Sequence, residues 1–157
     1  MKKIVILLFV LTVSVCGFAQ KGRMGVGGSL GAFYGDDVVP TLSVKYQYNL
    51  TDIFRIQPSV MFQLGDNYGC YRFAGHLDLH TFFIKNGRFR PYLITGLGYG
   101  TIEEDDYYSS YEESIFSANL GLGLNCRVSY SWDVQLEVTY SSAAEAAWIQ
   151  LGTTYNF

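Results

Sequence analysis

The sequence predicts an all-β fold: an eight-stranded antiparallel up-and-down transmembrane β-barrel, preceded by a cleaved signal peptide. Three observations carry this. The composition favours strands over helices, the hydrophobic pattern after residue 20 has a period of two, and aromatic residues gather at both ends of the apolar faces. Of 157 residues, 49% are hydrophobic and 17% aromatic, with 13 Tyr, 11 Phe and 17 Gly. Tyr, Phe and Val favour strands, while Gly disfavours helices. Charged residues are 16%, below the usual quarter, and so apolar a chain is not disordered. A net charge of −3 offers no basic surface to nucleic acid. The length suits one domain.

The first element is the leader. Met1-Lys2-Lys3 is a short basic start, Ile4 to Val15 is an apolar run broken by Thr12 and Ser14, and Gly17-Phe18-Ala19 precedes Gln20. This order of basic, apolar and small-residue parts is that of a secretory signal cut after Ala19. The reading is therefore a signal peptide over 1–19 and a barrel domain over 20–157. The apolar run is shorter than the roughly 18 to 20 residues of a spanning helix, which argues against a membrane anchor. Val15 before Cys16 argues against lipoprotein cleavage, which wants a small residue there.

Eight strands follow, at roughly 23–34, 40–49, 53–64, 70–83, 89–101, 115–126, 132–141 and 147–157. In the first, Met24, Val26, Leu30 and Ala32 share a face opposite Gly25, Gly27, Ser29 and Gly31. In the second, Leu42, Val44, Tyr46 and Tyr48 oppose Thr41, Ser43, Lys45 and Gln47. The third sets Phe54, Ile56, Pro58, Val60, Phe62 and Leu64 against Arg55, Gln57, Ser59, Met61 and Gln63. The fourth sets Tyr71, Phe73, Leu77, Leu79 and Phe83 against Arg72, Ala74, His76, Asp78 and His80. The fifth sets Phe89, Pro91, Leu93, Leu97 and Tyr99 against Arg90, Tyr92, Gly96, Gly98 and Gly100. In the sixth, Phe116, Ala118, Leu120, Leu122 and Leu124 oppose Ser117, Asn119, Gly121, Gly123 and Asn125. In the seventh, Trp132, Val134, Leu136, Val138 and Tyr140 oppose Asp133, Gln135, Glu137 and Thr139. In the eighth, Ile149, Leu151, Tyr155 and Phe157 oppose Gln150, Gly152, Thr154 and Asn156. Alternation along a strand makes these one apolar and one polar face throughout. Pro58 and Pro91 each lack a ladder N–H, so each predicts a bulge or a strand end.

The apolar set is too bulky for the interior of an eight-stranded barrel, and the polar set is too poor in charge for a soluble surface. Lipid outside and a small, polar lumen inside resolve both. Aromatic placement agrees. Tyr46, Tyr48, Phe54, Phe83, Phe89, Trp132, Tyr155 and Phe157 lie at one end of the apolar face. Tyr34, Phe62, Tyr71, Phe73, Tyr99, Phe116 and Tyr140 lie at the other, with Leu, Val and Ile between. Two aromatic belts around an aliphatic band match two membrane interfaces. The connections at 49–52, 85–88 and 128–131 are tight. The alternate ones, Gly35–Val39, Gly65–Gly69, Ile102–Ser114 and Ser142–Ala146, carry acids and no Lys or Arg. Outer-membrane barrels keep short turns in the periplasm and longer loops outside.

A signal ending Phe18-Ala19-Gln20, eight amphipathic strands, Arg90-Pro91-Tyr92-Leu93 leading to Gly96-Leu97-Gly98-Tyr99-Gly100, and a terminal Tyr155-Asn156-Phe157 together resemble the small outer-membrane β-barrel family of the OmpA/OmpX type. The resemblance spans the mature chain. It implies residence in the bacterial outer membrane, contact with its lipid, and an assembly signal at Tyr155 and Phe157 read by the barrel assembly machinery. It also raises a lipid-modifying enzyme as an alternative, since some such barrels carry a His, a Ser and an acid on the lipid face. Here His76 and His80 both fall on the inward face.

The inward face carries Lys45, Arg55, Arg72 and Arg90 against Asp78, Asp133 and Glu137, with His76 and His80. Buried charges must be paired, so the expectation is a salt-bridged plug in which Arg55, Arg72 and Arg90 meet the three acids and leave no channel. A metal at His76, Asp78 and His80 lacks a further ligand nearby. No catalytic, cofactor or metal site is therefore expected. Cys70 and Cys126 fall at opposite ends of the barrel and are expected to stay unbonded. The segment 102–114 reads as an extracellular acidic loop, with Glu103, Glu104, Asp105, Asp106, Glu112 and Glu113 beside Tyr107, Tyr108 and Tyr111. Its acids suit cations that bridge to lipopolysaccharide or a basic partner, and its tyrosines suit contact anchors. The expected role is structural or surface-interacting. The remaining alternative is a soluble secreted ligand-binding barrel.

Overall fold

Each strand pairs antiparallel with the next in sequence, and the last returns to the first, so the sheet closes as a barrel of eight. The structure, a computed structural model, describes residues 22–35, 38–64, 72–85, 87–106, 109–142 and 146–157, with backbone alone at 72, 101–106 and 109–113. The strands are β1 (Met24–Tyr34), β2 (Val38–Asn49), β3 (Phe54–Gln63), β4 (Arg72–Phe82), β5 (Phe89–Asp106), β6 (Ser109–Arg127), β7 (Trp132–Ser141) and β8 (Ala146–Asn156). Closure removes the open edges of the wall. An even strand number brings both ends to one rim. Gly25 faces Asn156, and the Phe157 N–H bonds to the Met24 carbonyl at 2.9 Å. The expected leader, Cys70, Tyr71, Tyr107 and Tyr108 lie outside the described residues.

The period-two pattern sorts the side chains as anticipated, with the polar face inside. Leu30 is 65% exposed, whereas Lys45 is 2% and Glu137 4%. Across the outer wall Leu30 faces Leu42 and Leu151, Leu151 faces Leu136, and Leu136 faces Leu124. Aromatics flank this aliphatic band. Near the short-turn rim Trp132 packs edge-on against Tyr155, with centroids 5.3 Å apart. Towards the other rim Phe62 packs edge-on against Phe73 at 5.2 Å, and Tyr99 pairs with Phe116. Met24 shares the outward parity but is buried, beside the chain's last residue.

Local chemistry sets the tight turns. After β2, the N–H groups of Leu50 and Thr51 bond to the Phe54 carbonyl at 2.9 and 3.2 Å. Thr51 Oγ1 accepts from the Phe54 N–H at 3.0 Å, a hydroxyl-capped turn. After β6, Val128 and Ser129 both donate to the Trp132 carbonyl at 3.0 and 3.1 Å. Between β4 and β5, Gly87 has φ of 150°, which side-chain-bearing residues rarely adopt.

Two expectations are corrected. The described parts of the acidic segment, 102–106 and 109–114, continue β5 and β6 rather than forming a loop, paired from Thr101↔Ser114 to Asp106↔Ser109, with Glu103 opposite Glu112. The two strands leave the wall already in register, so each further pair adds ladder bonds without a new closure cost. The weak strand preference of acids is overridden by that context. Pro58 causes no bulge. β2–β3 pairs run from Thr41↔Gln63 to Lys45↔Ser59 and resume at Tyr48↔Ile56 in the same register. Across the gap, Gln47 Nε2 donates to Gln57 Oε1 at 2.6 Å. A missing N–H thus interrupts the ladder without shifting it. Pro91 likewise makes neither a bulge nor a strand end: it lies within β5, stays in register opposite Leu124, and its carbonyl accepts from the Phe83 N–H at 3.1 Å, just past the last β4–β5 pair, Phe82↔Tyr92.

Candidate functional site

The chemistry lies in the lumen, in layers stacked along the barrel axis. At the short-turn end, Arg55 Nε donates to Asn49 Oδ1 at 2.8 Å. The Arg55 and Arg90 guanidinium carbons lie 4.8 and 4.5 Å from the centroid of one ring, Phe82, a cation–π geometry. Beyond lies a run of amides: Gln47 Nε2 bridges Gln57 and Gln135, at 2.6 and 2.9 Å, and Gln135 Nε2 donates to Asn125 Oδ1 at 3.0 Å.

The central layer is an ion pair with a third partner. Lys45 Nζ lies 3.3 Å from Glu137 Oε2, and the Tyr92 hydroxyl donates to Glu137 Oε1 at 2.7 Å. Both carboxylate oxygens are thus held. The wall explains the reach. Tyr92 faces Gly123, and Gly123 faces Glu137. A Cβ on Gly123 would sit 2.2 Å from Tyr92 Cζ, so only glycine lets the ring cross the intervening strand. Further out the same device recurs. A Cβ on Gly96 would sit 2.0 Å from Asp78 Oδ1. Asp78 crosses it towards Asn119, whose Nδ2 lies 3.4 Å from Asp78 Oδ1 and donates to His76 Nδ1 at 3.0 Å.

The other end of the lumen is apolar. Phe33, Val39, Ala146 and Trp148 form a buried cluster. Trp148 stacks with Phe33 at 6.3 Å and meets the His76 ring at 5.3 Å. His80 stacks on Tyr92 at 4.6 Å. Among the described residues no three His, Cys, Asp or Glu side chains converge as a metal site.

The inward residues named from the sequence whose side chains are described meet in the lumen, but the expected pairings are corrected. Among the described residues, the ion pairs within 4.0 Å are Lys45–Glu137 and Arg127–Asp133, the latter at 3.8 Å. Arg55 and Arg90 reach an amide and a phenyl ring rather than Asp78, Asp133 or Glu137, and Asp78 turns to Asn119. Register explains Asp133: Arg127 is its direct cross-strand neighbour. The side chain of Arg72 is outside the described set. Sequence reasoning left out Tyr92, Asn119 and the Gln47–Gln57–Gln135 run as site residues, although each stands on the inward parity. Their convergence across the lumen has no linear signal. Phe33, Phe82, Ile94 and Trp148 were unassigned, although each shares that parity too. Of the acidic segment, Glu103 to Asp106 lie on β5, and Tyr111, Glu112 and Glu113 on β6.

Among solved structures, the N-terminal β-barrel domain of Pseudomonas aeruginosa OprF aligns with a TM-score of 0.68 at 22% identity, covering 87% of this chain and 100% of that one. Neisserial surface protein A aligns with a TM-score of 0.68 at 11% identity, over 87% and 97%. Ail, the attachment invasion locus protein of Yersinia pestis, aligns with a TM-score of 0.63 at 16% identity, over 87% and 97%. These likenesses establish the fold. No curated protein sequence matches the chain. The profile of the outer membrane protein beta-barrel domain matches residues 5–157, and with its closed wall of eight strands and its aliphatic belt the chain belongs to that family of the bacterial outer membrane.

Proposed function

We propose that the protein is exported through a signal cleaved after Ala19 and serves the outer membrane as a non-conducting structural and surface-contact barrel. The observation that carries this is the plugged lumen. Lys45, Glu137 and Tyr92 meet across its middle. The space left among Ser43, Lys45, Gln57, Asp78, Glu137 and Gln150 is about 10 Å³, at the limit for one water. A space of that size does not hold a hydrated ion, which supports a closed lumen.

The contact surface in this reading is the far end of the β5–β6 hairpin. The four outer segments carry ten acids and no Lys or Arg, which suits divalent cations bridging to lipopolysaccharide, or a basic partner. Ail has been solved with the heparin analogue sucrose octasulfate. The acidic charge here opposes a polysulfated ligand of that kind. Both histidines lie in the lumen, His80 fully buried and His76 on Asn119, away from the lipid face where a lipid-modifying site would need one.

The test combines fractionation with electrophysiology. The protein is expected in the outer-membrane fraction, with gel mobility that shifts on boiling, and silent in planar bilayers. A stable single-channel conductance from pure protein would sink the closed-lumen reading. Recovery in the soluble fraction without detergent would sink the membrane reading.

A further inference from the structure

The short-turn end of the lumen opens into a vestibule of about 490 Å³, within the size range of small-molecule sites. Its rim comprises exposed turn residues, including Thr51, Asp52 and Lys85; its floor is Arg55, Arg90 and Asp133. The lining holds Arg23, Arg55, Lys85, Arg90 and Arg127 against Asp52 and Asp133, five positive charges against two negative. Asp133 is already beside Arg127.

The two floor arginines are held together with little to neutralise them. Both sit over the Phe82 ring, and neither has a carboxylate within 4.0 Å among the described residues. Arg55 is 1% exposed and its Nη1 is buried without a protein partner; Arg90 Nε is likewise unpartnered. Buried like charges are costly unless paired. Guanidinium forks present donors in the geometry that phosphate oxygens accept.

We infer that this vestibule is a binding site for a phosphate group, entered from the periplasmic side, with Arg55 and Arg90 as its floor and Lys85 at its rim. The source is free inorganic phosphate or a phosphate headgroup presented at the rim. The test uses the mature barrel refolded in phosphate-free maltoside micelles. Titration with inorganic phosphate, followed by ³¹P NMR and calorimetry, is expected to show saturable binding at one site that weakens as salt rises. Arg90→Gln should weaken it at least tenfold, and Lys85→Ala about threefold by loss of one rim charge. Short-chain phosphatidylglycerol is titrated in parallel. Competition with phosphate assigns the headgroup as a source, and its absence assigns the free anion; both outcomes support the site. Heat-modifiable mobility reports folding of each variant. Should Arg90→Gln fail to fold, the exposed Lys85→Ala decides. No saturable binding of either probe, or unchanged affinity in the folded variants, overturns the inference.

Discussion

Replacing Lys45 by Met isolates the central ion pair. Lys45 is 2% exposed, and its ammonium lies 3.3 Å from a carboxylate that is itself 4% exposed. Methionine fills a similar volume, so the change is chiefly one of charge. Glu137 would keep the Tyr92 hydroxyl on one oxygen and lose its cation on the other. Breaking a buried pair from one side costs about 3–5 kcal/mol, because an uncompensated charge remains. Removing both charges is far milder, so Lys45→Met with Glu137→Gln should recover at least half of that loss. The assay is reversible urea unfolding of the barrel in phosphatidylcholine vesicles, followed by the fluorescence of Trp132 and Trp148 and by heat-modifiable mobility. A single variant within about 1 kcal/mol of the parent would show that water already solvates the pair. A double variant no better than the single one would show that packing, and not charge, fixes the cost.

Three further outcomes are expected. Gly123→Ala places a methyl against the Tyr92 ring; the cost should be about 1–3 kcal/mol from overpacking, at least matching Tyr92→Phe in the same unfolding assay, and a neutral effect would refute the crossing geometry. Denatured, unreduced protein should label at both thiols. Arg72 lies ten residues up β4 from Phe82, roughly 33 Å at about 3.3 Å per residue, while Cys126 faces Phe89 at the opposite rim; two residues of chain from Arg72 cannot return Cys70 to within the ~7 Å a disulfide needs. Phe157→Ala should lower the amount of barrel in cells yet refold near-normally in vitro, since loss of one rim aromatic costs no more than about 1.5–3 kcal/mol of burial; equal losses in both settings would make its role packing alone.

The fold was legible because a thin membrane wall has two solvents, lipid and lumen, and each marks every second residue. Leu30, Leu122 and Leu151 could only be lipid-facing, and Lys45, Gln135 and Glu137 only inward. The strand ends were less legible. Residues 102–106 read as loop because acids are judged by their own preference, whereas the ladder behind them had already met the cost of pairing. Site membership was legible for Lys45 and Glu137, but pairing was not. Charge balance says that cations meet acids; it does not say that Arg127 stands directly opposite Asp133, or that Arg55 is drawn to Asn49 and Phe82. Those choices depend on cross-lumen distances. The glycines on the inner wall held a clue: Gly96 and Gly123 each lie beneath a side chain crossing from the adjacent strand.

The long hairpin reopens a hazard that closure had removed. Beyond Thr101, β5 has left its pairing with β4, and β6 does not meet β7 until Asn119. Among the described residues, two sheet edges without a ladder partner therefore rise from a wall that is otherwise closed. Exposed edges template pairing between chains, and charge along the edge is a usual defence. The sequence places Glu103, Glu104, Asp105 and Asp106 on one such edge and Glu112 and Glu113 on the other. Two copies meeting there would bring acid against acid, a repulsion that disfavours the zipping of neighbouring hairpins into a shared sheet.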